Sequence, residues 1–264
     1  ESNPSATAAD TLPPYRFFYD ETHPLGSYLN KYVDDWGYSA NPANYSNDLT
    51  FPRLVDPAYC TTGTLRKMVY PMGGYKLFFF ESNDYSYVVN DDSKSLRNNN
   101  KVGGGLRVKS IFDYDPVAKK VKGLKYYYLR NFTSPNQLVK LSSGVLKSEP
   151  AHYRTFRDTL PSGEIFEGAV TSQNSVIPIS ENAEGSPIGY SEVAEVYTDN
   201  SYINSKFTNY DDGRLDENVL GTLFYQKSLT NSFSSLALER GKLKYAAVFN
   251  ANGIKLKSST FSYQ

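Results

Sequence analysis

Cysteine, tryptophan, methionine and histidine are nearly missing from this chain: 264 residues include one Cys, one Trp, two Met and two His. A lone Cys60 can close no intramolecular disulfide and supplies no thiolate metal cluster. Nucleophilic catalysis by a thiol or a serine hydroxyl normally recruits a histidine. His23 precedes Pro24 and belongs in a turn, His152 follows Pro150-Ala151, and there is no Gly-x-Ser-x-Gly elbow. Cys60 therefore reads as a small apolar residue of the interior.

Charge of one sign is missing too. Lys plus Arg and Asp plus Glu both number 28, so no overall field draws the chain to nucleic acid or to an anionic membrane. The one local basic run, Lys119-Lys120-Val121-Lys122, lies beside Asp113 and Asp115 and reads as a solvated hairpin tip. No apolar stretch approaches the roughly 20 residues of a membrane helix, and few segments sustain the apolar outer face of a barrel strand. No membrane insertion is expected. Segments with helical spacing are scarce, and the best of them, Leu236-Ala237-Leu238-Glu239-Arg240, amounts to one short turn.

What the chain has is tyrosine (23) and phenylalanine (15), residues suited to a pleated, half-buried surface. Turn signals recur at hairpin spacing. Thr64 to Tyr70 and Tyr75 to Ser82 flank Pro71-Met72-Gly73-Gly74. Leu106 to Tyr114 and Val121 to Leu129 flank a turn that begins at Asp115-Pro116, and Val145 to Glu149 forms a short strand. Tyr190 to Tyr197 and Tyr202 to Tyr210 flank Asp199-Asn200. Lys242 to Phe249 and Ile254 to Tyr263 flank Asn250-Ala251-Asn252-Gly253, where Asn-Gly supplies left-handed backbone. The polar stretch Asp84 to Lys101 is expected to be a long exposed loop, ended by Gly103-Gly104-Gly105 at the start of a strand. Between Asp158 and Pro187 the pattern loosens, with irregular connections and one or two short strands.

The expected fold is all-β, an antiparallel hairpin meander in stacked or sandwiched sheets with long polar loops. Residues 1–14 read as a linker or trimmed edge. Residues 15–264 read as a single large β-domain, with a subdivision conceivable near 150–187.

Few residues carry recognisable chemistry. Asp34 and Asp35 beside Trp36 are the carboxylates a glycosidase would need, although Trp36-Gly37-Tyr38 reads more simply as structure. Asp211, Asp212, Asp216 and Glu217, or Asp84, Asp91 and Asp92, could gather hard oxygens for calcium, yet neither set follows the EF-hand spacing. Gly103-Gly104-Gly105 has no Walker lysine and opens no helix, so it is no phosphate loop. Asp10-Thr11-Leu12 and Asp158-Thr159-Leu160 have the form of a bacterial O-glycosylation site. No cofactor, metal or catalytic residue is assigned. Aromatics placed on loops, Trp36, Tyr38, Tyr85 and Tyr87, are the candidate ligand platform, and their chemistry suits a glycan.

Several segments, in order, resemble a known group of proteins: Tyr15-Arg16-Phe17-Phe18-Tyr19, Asp35-Trp36-Gly37-Tyr38, Gly63-Thr64-Leu65 through Gly73-Gly74-Tyr75, Gly104-Gly105-Leu106-Arg107-Val108-Lys109-Ser110-Ile111, Ser143-Gly144-Val145-Leu146, Tyr190-Ser191-Glu192-Val193 and Arg240-Gly241-Lys242-Leu243. The chain from Tyr15 to Gln264 resembles a central region of large secreted or surface proteins of Bacteroidota, loosely grouped with YD-repeat (RHS-like) chains. The final hairpin is similar to one YD-type unit, though the unit does not recur at a fixed period. The resemblance implies an extracellular or cell-surface location and a longer parent chain. The absent catalytic signatures, balanced charge and turn-rich β architecture point to a non-enzymatic role in adhesion, display or assembly, with a glycan-binding module, motivated by the Tyr and Trp residues, as the alternative. Partners would be other domains of the parent chain, glycans or other surface proteins.

Overall fold

A computed structural model describes residues 13–24, 26, 32–44, 53–90, 93–147, 149, 153–171, 188–216 and 236–263. The fold is all-β, and the only helical pieces among these residues are short 3-10 turns. Its strands are β1 Arg16–Tyr19, β2 Leu65–Val69, β3 Tyr75–Asn90, β4 Ser95–Asp115, β5 Lys120–Tyr127, β6 Gly144–Leu146, β7 Tyr153–Thr159, β8 Ile165–Thr171, β9 Ile188–Tyr190, β10 Glu192–Tyr197, β11 Tyr202–Phe207, β12 Leu243–Phe249 and β13 Lys255–Thr260. Eleven of them make one sheet in the order β1-β2-β3-β4-β5-β10-β11-β12-β13, with β6 and β9 attached beside β3, and the sheet is not closed into a barrel. Strands β7 and β8 pair with each other as a separate two-stranded sheet.

Each expected hairpin turn forms as its residues require. Between β2 and β3 the Tyr70 amide donates to the Gly74 carbonyl, and Gly73 takes φ +85°, the left-handed conformation that costs glycine least. Between β4 and β5, Asp115 Oδ1 accepts from the Val117 and Ala118 amides. Between β10 and β11, Asp199 Oδ1 accepts from the Ser201 amide. Between β12 and β13, Asn250 Oδ1 accepts from the Asn252 and Ile254 amides. These are side chains replacing ladder hydrogen bonds that the reversing backbone cannot make.

Two expectations need correction. Asp84 to Lys101 is not a loop: β3 and β4 pair through it as one long hairpin, from Asp84 opposite Val102 to Asn90 opposite Ser95. Tertiary contacts override the weak strand propensity of its Asn and Ser residues. Ser86, for example, is buried with its hydroxyl donating to the Ser142 carbonyl at 2.7 Å, and Asn83 donates to the Gly104 carbonyl at 2.9 Å. Gly103-Gly104-Gly105 consequently lies inside β4, at a register shift opposite Ser82 and Asn83. The pairing is also not wholly antiparallel, since β6 joins β3 in parallel, Tyr87 beside Val145.

The interior is divided. Trp36, Tyr85, Val88, Leu146 and Ile188 form one buried cluster. Phe132, Ala194, Val196 and Tyr202 form a second, and Val89, Val145 and Tyr210 a third. The glycine run explains the first cluster. A Cβ on Gly104 would stand 2.1 Å from the Trp36 Cβ, and one on Gly103 would stand 2.4 Å from the Ile188 side chain. Bare backbone lets both side chains seat directly on the sheet.

Candidate functional site

The expected aromatic platform is not an exposed surface. Trp36 is 4% exposed and Tyr85 3%, both within the first core cluster. Tyr38 is half-buried against that cluster, and Tyr87 is half-buried on β3 with the Arg130 guanidinium 4.5 Å from its ring centre. Tyr85 and Tyr87 lie on β3, where their Asn, Asp and Ser neighbours have the composition of a loop.

The carboxylates also have structural employment. Asp34 is 1% exposed. Its Oδ1 accepts from the Trp36 and Tyr38 amides, both at 2.9 Å, and folds the loop that presents Trp36. Burial pushes its carboxyl up to about 6, the backbone donors only partly offsetting it. Asp35 Oδ1 accepts from the Arg53 amide. The two acids therefore shape a loop and face no common substrate space. Asp211 pairs with Arg130, Asp212 with Lys244, and Asp216 with Arg240 and Lys147. Asp84 pairs with Arg107. Glu217, Asp91 and Asp92 lie outside the described residues. Among the described residues no three acidic, histidine or cysteine side chains converge as a metal site would require.

Arg107 illustrates how completely charge is committed. Its guanidinium reaches Glu81 at 2.8 Å, both oxygens of Asp84 and the Tyr190 hydroxyl at 3.0 Å, and it stands 4.4 Å from the Tyr128 ring centre. Burial raises the Tyr128 and Tyr190 phenols well above their ordinary range, which the Arg107 charge only partly counters. Cys60 is buried, and desolvation pushes its thiol up to about 11, far from a reactive thiolate. His23 stacks on Tyr59 with ring centres 4.0 Å apart. His152 and Thr11 lie outside the described residues, and Thr159 is exposed at the end of β7.

A concave surface lies elsewhere, a cleft of about 610 Å³. Its floor is one face of the sheet. Register places Phe112 opposite Gly123, Ser110 opposite Lys125, Lys125 opposite Val196, Tyr127 opposite Ala194, and Val196 opposite Tyr202. Alternation therefore brings Phe112, Lys125, Tyr127 and Tyr202 to the same side. The Phe112 ring covers Gly123, where a Cβ would stand 2.6 Å from its Cε1. The segment after β5 crosses this face and forms one wall with Thr133, Ser134, Pro135 and Asn136. The hairpin turns at Thr198 to Asn200 and Ala251 to Gly253 form the other walls.

The covering segment is pinned where it enters the face, over Asn131 to Thr133. Buried Glu192 accepts from the Asn131 and Phe132 amides at 2.9 and 3.0 Å and from Asn204 Nδ2 at 2.8 Å. The Tyr202 hydroxyl donates to the Thr133 carbonyl at 3.0 Å. Phe132 then packs between Tyr127 and Tyr202, each ring centre 5.3 Å away. Glu192, Asn136 and Asn252 carry no sequence signal of their own. Leu124 and Tyr126 lie on the opposite face of β5, and only the β5–β10 pairing reveals what shares a face with Tyr127. Comparison with family models, with curated proteins and with solved structures gives no match.

Proposed function

We propose that the chain is a non-enzymatic structural and interaction domain of a larger surface or secreted bacterial protein, serving adhesion, display or assembly. The observation that carries this reading is that, among the described residues, β1 is an edge strand of the large sheet with no second neighbour. Strand β1 ends the strand order, and Phe17 (50%) and Tyr19 (54%) on one face are as exposed as Phe18 on the other. An open edge with aromatic side chains is a template for strand addition. Among the described residues, Asp84, Asp211, Asp212 and Asp216 are engaged in ion pairs and Asp34 caps a turn, so these acids have structural roles.

A second copy of the chain fits this edge. An antiparallel pairing about a two-fold axis at Phe17 sets Phe17 across from Phe17, Arg16 across from Phe18 and Tyr15 across from Tyr19, so no like charges meet. Sedimentation equilibrium over a concentration series tests the proposal. A reversible dimer is expected, abolished by Phe17→Lys, which would set like charges opposite each other on the axis. A monomer at the highest attainable concentration would remove the edge from the argument. Reproducible turnover of any substrate that is lost on one carboxylate substitution would overturn the non-enzymatic reading itself. A second reading, a glycan-binding module, is favoured by the aromatic cleft between β5, β10 and β11.

A further inference from the structure

We infer that this cleft is a binding site for a short, neutral oligosaccharide, an assignment that rests on the glycan-binding reading and gives it a location. The lining decides the ligand class. Lys125 is the sole ionisable side chain besides tyrosine among the lining residues, and no carboxylate is present. A metal ion has no hard anionic oxygen there to bind. A polyphosphate or sulfated chain would need several cations rather than one.

What the cleft offers instead is apolar ring surface beside neutral amides. Phe112 and Tyr127 are half-buried on the floor, so part of each ring remains accessible. Asn136, Asn200 and Asn252 are exposed on three different segments of the rim. Among the described residues their side-chain amides make no hydrogen bond, and each offers two donors and a two-lone-pair acceptor. A pyranose has the complementary pattern, with a C–H face for an aromatic ring and vicinal hydroxyls that both donate and accept. Aromatic rings contribute buried area, while the amides fix orientation.

The walls are held in place before any ligand arrives. Glu192 and the Tyr202 hydroxyl fix the covering segment, and Thr198 Oγ1 accepts from the Gly123 amide at 3.0 Å. Asn200 itself sits at φ +65° in its turn, which aims that segment rather than leaving it extended. A site organised in this way loses little freedom on binding. Its volume falls in the range of about 300–1,000 Å³ common to small-ligand sites.

The test is an NMR titration of the ¹⁵N-labelled protein with neutral tetraoses: maltotetraose, cellotetraose, xylotetraose and mannotetraose. At least one is expected to bind, with shifts at Tyr127, Gly123, Asn136 and Gly253. Affinity should be unchanged when salt is raised tenfold. Asn136→Ala together with Asn252→Ala, both exposed and outside the core, should weaken binding tenfold or more. Phe112→Ala should abolish it, and its fold is checked by the spectrum itself. Shifts confined to another surface, or affinity unchanged in the double variant, would refute the cleft while leaving glycan binding standing. Absence of binding by all four tetraoses would refute both. Neither result bears on the β1 edge, which is read by sedimentation.

Discussion

Replacing Asp34 with asparagine should make the protein more stable at neutral pH and should erase one component of its pH dependence. The carboxyl is buried, its Oδ1 satisfied by two backbone amides and its Oδ2 without a partner. Its folded pKa is pushed up to about 6 from an ordinary 3.8. The folded state thus binds more protons than the unfolded state between those values. Stability from this group is fully present below pH 4, declines as pH rises toward 6, and is flat above. At about 1.4 kcal/mol per pKa unit, the loss across that window is about 3 kcal/mol. Asparagine keeps the Oδ1 acceptor and carries no charge, but its Nδ2 finds no acceptor where Oδ2 has no partner, which costs roughly 1–2 kcal/mol. The net gain expected at pH 7 is therefore about 1–2 kcal/mol. Urea unfolding of both proteins at pH 4, 5, 6 and 7 measures it, and the variant minus wild-type difference isolates Asp34 from other titrating groups. A difference that does not grow between pH 4 and 6, or grows in favour of the wild type, refutes the reasoning.

Three further outcomes are expected. Gly104→Ala should destabilise the fold by about 3 kcal/mol or more, because the new Cβ would stand 2.1 Å from the Trp36 Cβ; thermal unfolding with Trp36 fluorescence reads it. Gly213→Ala, at positive φ but with open space around its Cβ, isolates backbone strain from steric clash and should cost only about 1 kcal/mol. Arg107→Lys should cost roughly 2–4 kcal/mol, since an ammonium cannot span Glu81, Asp84 and Tyr190 together; chemical denaturation checks this. Cys60 should resist alkylation in the native protein at pH 8 and react at once in denaturant, its thiol being held near 11 by burial; mass spectrometry after iodoacetamide distinguishes the two.

The turns were legible because their causes are local. Asp115, Asp199 and Asn250 each cap backbone amides within four residues, so the sequence around them contains most of the physics. The long β3–β4 hairpin was not, because what holds Asn83 and Ser86 in a strand lies far along the chain. Asn83 accepts from the Tyr190 hydroxyl, and Ser86 donates to Ser142. Read by composition, those residues describe a loop. The aromatic positions failed for the same reason: Trp36 is beside a turn, yet it is Gly104, far downstream, that makes room for it. The cleft is less legible still, since Phe112, Asn136, Tyr202 and Asn252 meet only after the six strands from β4 through β5, β10, β11, β12 and β13 have paired.

The parallel β3–β6 pairing has a consequence for the order of assembly. Strands β2 to β5 are joined by successive hairpins, and those contacts close over short loops that cost little chain entropy. The Trp36 cluster is different, because it requires Leu146 from β6 and Ile188 from β9. A nascent chain ending before residue 188 has its hairpins but lacks the strand that completes this interior. Until then the tryptophan and the glycine backbone beneath it remain open to water or to a chaperone. Synthesis of the segment near Ile188 is therefore the point at which the first half of the protein can become committed to its native state.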